Sequence, residues 1–379
     1  MSRTLLRLAA LGGAAIIMIL LVPLGAVGAH SLTQARSAST QFTIVATGLN
    51  NPRGLTFGPD GNLYVAEGGL AGTHSTTPAQ CTQVPVPVGP YTGGFTSRIS
   101  KISLSGARTT VIGFLPSSQT SAALGHLTSG VSAVQFVDGT LYGMLAGAGC
   151  SHGLLGTNNT IFRVNADGTR TNIANLSAFL KAHPVANPDL DDFEPDGTWY
   201  GMVEVNDVIY ATEPNHQELD RITRSGQISR VVDLSTLFVP PNNWQGATGI
   251  VFHNGNFYIG TLGTFPVRPG TQKLYKITPD GKVTVAASGL SAVLGVAFDA
   301  KGRLYALETD TVAGFPGPAA AGSGKVVRVN SDGSLTTIAS GLTFPTAMTI
   351  DPDGDALFVS NIGFGVPTAG AGQIVRIGI

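Results

Sequence analysis

Charge is the scarcest property of this sequence. Only 12% of the 379 residues are Asp, Glu, Lys or Arg, and this is about half the share in an ordinary globular protein. The formal net charge is −1, whereas a nucleic-acid-binding protein presents a basic face to the phosphates. The composition therefore argues against nucleic acid as a partner. It favours a β-rich protein whose surface is polar but largely uncharged.

Motifs of several catalytic and metal-binding classes are also missing. The sequence has no Gly-x-Ser-x-Gly nucleophile elbow and no Gly-x-x-x-x-Gly-Lys phosphate loop. Its seven histidines include no closely spaced pair of the His-x₃-His type, so a preformed zinc site has no local support. Cysteine is almost absent, with Cys81 and Cys150 as the two examples.

The N-terminus predicts export. Two arginines near the start are followed by an uncharged run over residues 8–29, which ends in the small residues VGA. We predict a signal peptide over residues 1–29, cleaved after Ala29, and a Ser/Thr/Gln-rich linker over residues 30–41. An uncleaved anchor is the alternative, because the apolar run is long enough to cross a bilayer. With cleavage, the mature protein is secreted and keeps no stable membrane span.

A degenerate repeat recurs six times along the rest of the chain. Each copy has a short apolar run, a tight turn with Asp-Gly, Asn-Gly, Lys-Gly or Asn-Asp, and a second apolar run with Tyr or Phe. Gly and Asn tolerate the positive φ angles of a tight hairpin, and aromatic and β-branched residues suit half-buried strands. Each copy therefore predicts a hairpin, and a second hairpin follows each one. The copies are residues 53–67 (RGLTFGPDGNLYVAE), 131–146 (VSAVQFVDGTLYGMLA), 201–213 (GMVEVNDVIYATE), 249–261 (GIVFHNGNFYIGT), 295–308 (GVAFDAKGRLYALE) and 346–361 (TAMTIDPDGDALFVSN).

Six units of four strands predict an all-β, six-bladed β-propeller over residues 42–379. The chain ends with QIVRI at residues 373–377, a third strand without a fourth. Residues 42–46 (FTIVA) resemble the fourth strand of the preceding unit, LTTIA at residues 335–339. We therefore predict that the N- and C-terminal strands pair within one blade of four antiparallel strands and close the ring.

One face of this propeller is predicted to carry the long loops. Turns between strands one and two, and between three and four, are short, whereas the other connections are long and emerge on the opposite face. Binding and catalytic residues concentrate in loops on a rigid scaffold, so this loop-bearing face is the predicted functional face. Cys81 and Cys150 both fall in its insertions, and in an exported protein this predicts a disulfide. The insertions are residues 68–96, 115–129, 147–159, 174–198, 235–245, 262–272, 309–324 and 362–372.

Polar side chains from several blades are predicted to converge near the mouth of the central channel. One interpretation is a Ca²⁺ site or an acid/base cluster. The other is that the strand-end carboxylates bind neighbouring loop N–H groups and close the blades. We expect the acidic segment at residues 187–197 (NPDLDDFEPDG) to be a solvated turn, because it lacks the spacing of an EF-hand. The candidates are Arg53, Glu67, Tyr200, Glu213, Asn215, His216, Thr248, Glu308, Thr346 and Asn361.

Residues 45–69 (VATGLNNPRGLTFGPDGNLYVAEGG) resemble the opening of the ScyD/ScyE family of exported bacterial propellers, as do GTLGTFPVRP at 260–269, ASGLSAVLGVAF at 287–298 and GQIVRI at 372–377. Beyond these segments the similarity is to NHL and TolB-like six-bladed propellers in general. The resemblance implies the fold and export without implying a reaction. The sequence departs from the family in its cysteines. The family's pair often falls within the first long insertion, whereas here Cys81 lies there alone and Cys150 lies in the next blade.

The wider group adds an enzymatic alternative. It includes Ca²⁺-dependent lactonases and phosphotriesterases, whose channel-mouth ion is held by Glu, Asn and Asp, and here the resemblance points to Glu67, Glu213 and Asn361 as metal ligands. Two functions therefore follow from the sequence. The first is a monomeric, non-catalytic binding or scaffold protein that presents its loop-bearing face to a small molecule, a glycan or a protein. The second is a Ca²⁺-dependent hydrolase.

Overall fold

The computed structural model describes residues 42–238, 244–314, 320–363 and 368–379. The predicted signal peptide (1–29) and linker (30–41) lie outside these ranges. The described strands form six antiparallel sheets, each with four consecutively hydrogen-bonded strands and one of them with a short fifth. This arrangement confirms the predicted six-bladed β-propeller.

The chain contributes its first strand, β1 (Thr43–Leu49), to the last blade. Blade 1 contains β2 (Pro52–Phe57), β3 (Leu63–Glu67), β4 (Thr92–Ile102), β5 (Arg108–Gln119) and the added β6 (Thr128–Ser129). Blade 2 contains β7 (Val131–Val137), β8 (Thr140–Leu145), β9 (Thr160–Val164) and β10 (Arg170–Asn175). Blade 3 contains β11 (Met202–Val205), β12 (Val208–Glu213), β13 (Glu218–Ile222) and β14 (Ile228–Asp233). Blade 4 contains β15 (Ala247–His253), β16 (Asn256–Thr261), β17 (Gln272–Ile277) and β18 (Val283–Leu290). Blade 5 contains β19 (Val293–Phe298), β20 (Leu304–Glu308), β21 (Gly324–Val329) and β22 (Leu335–Leu342). Blade 6 contains β23 (Ala347–Ile350), β24 (Ala356–Asn361), β25 (Gly372–Gly378) and β1.

The inner hairpins have the turns that their residues favour. Asp138 and Gly139, between β7 and β8, have φ angles of 47° and 71°. Asn254 and Gly255, between β15 and β16, have φ angles of 47° and 75°. Two consecutive positive φ angles define the type I′ turn, whose twist matches that of the flanking strands. The short turns therefore follow directly from the Asp-Gly and Asn-Gly pairs.

The two ends of the chain close the ring as predicted. In blade 6, β1 pairs with β25 in an antiparallel register that sets Thr43 opposite Arg376 and Ile44 opposite Val375. Side chains of the same blade also reach blade 1. The Thr346 hydroxyl donates to the Pro52 carbonyl at 2.6 Å, and the Ser360 hydroxyl donates to the Arg53 carbonyl at 2.6 Å.

The core lies between the blades. Six hydrophobic clusters each join two neighbouring blades around the ring. In one of them Trp199, which is fully buried, packs with residues of blades 2 and 3. A seventh, smaller cluster lies in the loops of blade 1 and contains Val84, Val88, Tyr91, Leu124 and Leu127. The loop-bearing face therefore has an apolar core of its own.

Parts of the predicted insertions are regular structure. Strands β4 and β5 continue beyond the blade as a hairpin that includes residues 92–96 and 115–119. Helix α1 (Leu176–Ala182) lies inside the predicted loop 174–198, and the Asn175 side chain caps it by accepting from the Ala178 N–H at 2.9 Å. In the described part of the chain no helix has the length and apolar character needed to cross a membrane.

Candidate functional site

The channel along the propeller axis is narrow. A cavity of about 70 Å³ is lined by the first strands of all six blades. Those strands approach so closely that a Cβ on Gly54 would lie 2.7 Å from the Ala133 Cα, and a Cβ on Gly249 would lie 2.8 Å from the Gly295 Cα. Glycine is therefore required at these positions, and the channel has little room for a ligand.

Arg53, Tyr200 and Thr346, three of the predicted site residues, are brought together at the mouth of this channel. The Tyr200 hydroxyl donates to the Thr346 carbonyl at 2.6 Å, which links blade 3 to blade 6. The Arg53 guanidinium lies beside Tyr200 and donates to the Thr128 carbonyl. Burial raises the pKa of Tyr200 to about 12, although Arg53 opposes the shift. All three residues are therefore engaged in contacts within the protein.

Thr248 has a similar structural role. It is fully buried, and its hydroxyl donates to the Val293 carbonyl at 2.6 Å. This bond joins blade 4 to blade 5, as the Thr346 hydroxyl joins blade 6 to blade 1. The threonines that begin these inner strands therefore connect neighbouring blades.

The strand-end residues Glu67, Glu213, Glu308 and Asn361 share one geometry. Each accepts a hydrogen bond from a backbone N–H in the connection that enters its own blade. Glu67 accepts from Asn50 N at 2.6 Å and Glu213 from Thr198 N at 2.7 Å. Glu308 accepts from Ser291 N, and Asn361 accepts from Thr343 N at 2.8 Å. All four are buried. These contacts agree with the interpretation that the side chains at the strand ends bind neighbouring loop N–H groups and close the blades.

The residues proposed to hold Ca²⁺ each have hydrogen-bond partners within the protein. Both oxygens of Glu67 accept from the Arg98 guanidinium at 2.8 Å, and Arg108 lies 3.7 Å away. The Asn361 amide instead contacts Gln373 at 3.3 Å. Within the described residues no group of three or more His, Cys, Asp or Glu side chains is placed to hold a metal ion. Glu67, Glu213 and Asn361 are therefore each engaged by donors of the protein, and a calcium ion shared by the three stays a prediction.

Blade 3 carries an acidic cluster at the end of its second strand. Glu213 faces Glu218 across the sheet, and its carboxylate lies 3.2 Å from the His216 Nδ1. Burial disfavours a charged imidazole, but Glu213, Glu218 and Glu194 outweigh it and raise the pKa of His216. Burial raises the pKa of Glu218 to about 6, although Arg230 opposes it. His216 is therefore held as a buried partner of acids.

The acidic segment at residues 187–197 is not the solvated turn that we expected. Asp189, Glu194 and Asp196 are all buried. Glu194 accepts from the Tyr91 hydroxyl at 2.6 Å and lies 2.9 Å from the His152 Nε2. Sequence reasoning missed this because the partners, Tyr91 and His152, belong to insertions of two earlier blades.

The predicted disulfide is confirmed and adjoins this network. Cys81 and Cys150 are bonded, with their Cα atoms 6.2 Å apart. The next residue, Ser151, donates to Asp196 from its N–H at 2.8 Å and from its hydroxyl at 2.7 Å. The disulfide and the hydrogen bonds therefore fasten the insertions of blades 1 and 2 to the acidic segment.

A pocket of about 290 Å³ opens above this fastened region. Asn215, one of the predicted site residues, lies in its wall and donates to the Asp192 carboxylate at 2.7 Å. The described lining combines apolar groups with acids and includes no Lys, Arg or His. The lining residues are Pro87, Val88, Leu124, Asp189, Asp191, Asp192, Pro214, Asn215, Trp244, Leu262, Gly263, Thr264 and Phe265.

Two polar atoms of the pocket-lining side chains are left without partners among the described residues. The Asp192 Oδ1 is buried and receives no hydrogen bond, and the Trp244 Nε1–H is buried and donates none. Burial raises the pKa of Asp192, and the nearby Glu194, Asp189 and Glu213 raise it further. Buried polar groups are usually paired, so these two atoms are available to a molecule bound in the pocket.

Sequence reasoning identified Asn215 but missed Trp244, Phe265 and Asp192. The sequence did contain one indication of these residues, because all three lie within the predicted insertions. Which loops meet depends on the paths of the insertions, and no short motif encodes those paths.

No family model matches this sequence, and no curated protein matches it. Solved structures with a similar fold include a protein of unknown function from Bacteroides thetaiotaomicron, at 13% identity and a TM-score of 0.53, covering 90% of this chain and 72% of that chain. A putative oxidoreductase (glucose dehydrogenase) from Thermus thermophilus is similar at 15% identity and a TM-score of 0.52, over 89% and 99% of the two chains. A luciferin-regenerating enzyme is similar at 10% identity and a TM-score of 0.51, over 89% and 95%. These likenesses show a shared propeller fold.

Proposed function

We propose that this protein is a monomeric, non-catalytic binding propeller that takes a small molecule in the pocket on its loop-bearing face. The observation that carries the proposal is the lining of that pocket, where two buried polar atoms lack partners among the described residues. Most of the other residues predicted for a site are engaged in contacts that hold blades together. Glycans and proteins are the other ligand classes that this face could take.

Export and membership of the ScyD/ScyE family are part of the proposal. The resemblance at residues 45–69 supports the family, and the Cys81–Cys150 disulfide supports an oxidising compartment. Intact-mass measurement of the protein recovered from the medium tests export. A mature chain that begins at His30 is expected, and a chain that retains residues 1–29 in the membrane fraction would contradict it.

A pocket-filling variant tests the binding function. In Thr264→Trp the new indole should occupy the pocket, whereas the matched variant Thr284→Trp places the same side chain on an exposed strand. A ligand at 100 times its Kd stabilises a protein by about 2.7 kcal/mol. Thermal shifts measured with a small-molecule library should therefore appear for the natural protein and Thr284→Trp but not for Thr264→Trp. Identical shifts in all three proteins would refute the proposed site.

A Ca²⁺-dependent hydrolase is the second proposal, and it has one observation in its favour. Asp189, Asp191 and Asp192 line the pocket together with Asn215, and oxygen atoms of these types are the ligands that calcium prefers, although the three carboxylates are not grouped around one point in the described structure. Metal analysis of the purified protein separates the two proposals. Stoichiometric calcium that EDTA removes, together with lactone or phosphotriester hydrolysis that calcium restores, would favour the enzyme. A metal-free protein whose melting is indifferent to EDTA would favour the binding protein.

A further inference from the structure

The pocket described above also defines a ligand class. Resting on the proposed binding function, we infer that it takes an organic ammonium ion, namely a small amine with an apolar or aromatic body and a hydrogen-bond acceptor. The sign of charge in the wall, the apolar surface and the two unpartnered atoms each support one part of this description.

The acidic side chains of the pocket favour a ligand with a cationic group. The three aspartates of the lining, Asp189, Asp191 and Asp192, come from one segment, and Glu194 and Glu213 lie close behind Asp192. The basic side chains that contact these glutamates are already paired with them, His152 with Glu194 and His216 with Glu213. The charged side chains of the described lining are therefore all acids, which disfavours an anion, whereas a cation would relieve repulsion among them.

The apolar wall determines the body of the ligand. Trp244 and Phe265 lie in the lining together with Val88 and Leu124, and Val88 and Leu124 belong to the core of the blade 1 loops. An ammonium ion within about 6 Å of an aromatic face is attracted by the ring, most strongly by indole. A pocket of about 290 Å³ is small among ligand sites. The combination fits an amine of one ring, not a peptide or an oligosaccharide.

The unpartnered atoms determine the polar contacts. The Asp192 Oδ1 has no hydrogen-bond donor within the described ranges, and Asn215 occupies the other carboxylate oxygen. An ammonium N–H supplies the missing donor. The Trp244 Nε1–H has no acceptor among the same residues, and a hydroxyl or carbonyl oxygen on the ligand would supply one. An organic cation satisfies Asp192 with one contact, whereas a metal ion needs several ligands.

Isothermal titration of the full-length exported protein tests this inference with three matched probes. Phenethylamine carries the ammonium group, 2-phenylethanol is its neutral counterpart, and 3-phenylpropionate is an anionic one. Their shared phenyl ring has no acceptor for the Trp244 N–H, so the comparison tests the ammonium part of the inference alone. We expect phenethylamine to bind at least tenfold more tightly than the alcohol and the propionate to show no binding. Asp192→Asn should weaken phenethylamine at least tenfold, whereas Asp353→Asn, an exposed aspartate on the opposite face, should not.

The outcomes are separable. Equal binding of phenethylamine and the alcohol, tighter binding of the propionate, or no binding of phenethylamine overturns the ammonium inference. The comparison among the three probes uses the natural protein, so it decides the question even if Asp192→Asn does not fold. In each of these cases the proposed binding function would still be supported if library ligands produce thermal shifts in the natural protein that are lost in Thr264→Trp.

Discussion

Removing the last strand is expected to abolish cooperative folding. Deletion of the residues after Gly372 takes away Ile374, Val375 and Ile377, whose side chains are fully buried. Burial of an aliphatic side chain contributes about 1.5–3 kcal/mol, so three of them contribute about 5–9 kcal/mol before the lost strand pairing is counted. A typical domain has a stability of about 5–15 kcal/mol. The truncated ring also exposes two unpaired strand edges.

Urea denaturation followed by far-UV circular dichroism and tryptophan fluorescence measures this loss. The truncated chain should show no cooperative transition. A graded version compares Ile377→Ala, which should lower the free energy of unfolding by about 2–5 kcal/mol, with Ile44→Ala. Ile44 lies in the same blade with 54% of its surface exposed, so its change should stay within about 0.5 kcal/mol. A truncated chain that unfolds with the midpoint and slope of the full chain would refute the closure mechanism.

Three further changes test the interactions described above. Replacing Cys81 and Cys150 by serine opens a loop with a sequence separation of 69. The double variant should lower the free energy of unfolding by at most about 4 kcal/mol and should increase hydrogen exchange in the loops first. An unchanged exchange pattern would contradict the role of the disulfide in fastening the loops. Glu67→Gln removes the charge that Arg98 faces and should destabilise the fold by about 3 kcal/mol; denaturation at pH 7 measures this, and a neutral result would mean that Glu67 is free for another role. Asp220 is fully buried, and burial and then Glu218 raise its pKa, so the folded state favours the protonated form and stability falls as pH rises from the unfolded value of about 3.9 to the raised folded value. Asp220→Asn should therefore gain stability relative to the natural protein as the pH rises above the unfolded value, and a difference that does not change with pH would contradict the assignment.

Local sequence patterns are sufficient to specify the propeller architecture. Local turn chemistry at pairs such as Asp138-Gly139 sets the hairpins, and the repetition of that pattern sets the number of blades. The unmatched strand at residues 373–377 required a partner, which residues 42–46 supply in the structure. The alternation of short turns and long insertions also placed Cys81 and Cys150 on one face. These features depend on local backbone preference and on the order of repeats, and both can be read along the chain.

Contacts between residues far apart in the sequence determine which acids are structural and which line a pocket. Glu67 ends an apolar strand and Asp192 lies in an acidic insertion, but neither local pattern shows which side chains the acid meets. The register of β3 and β4 places Arg98 opposite Glu67, whereas the folding of several insertions against one another leaves the Asp192 Oδ1 without a partner among the described residues, in the same pocket as Trp244. Such contacts join residues far apart in sequence through loops of irregular path. Periodicity constrains strands and turns, but it does not constrain these loops.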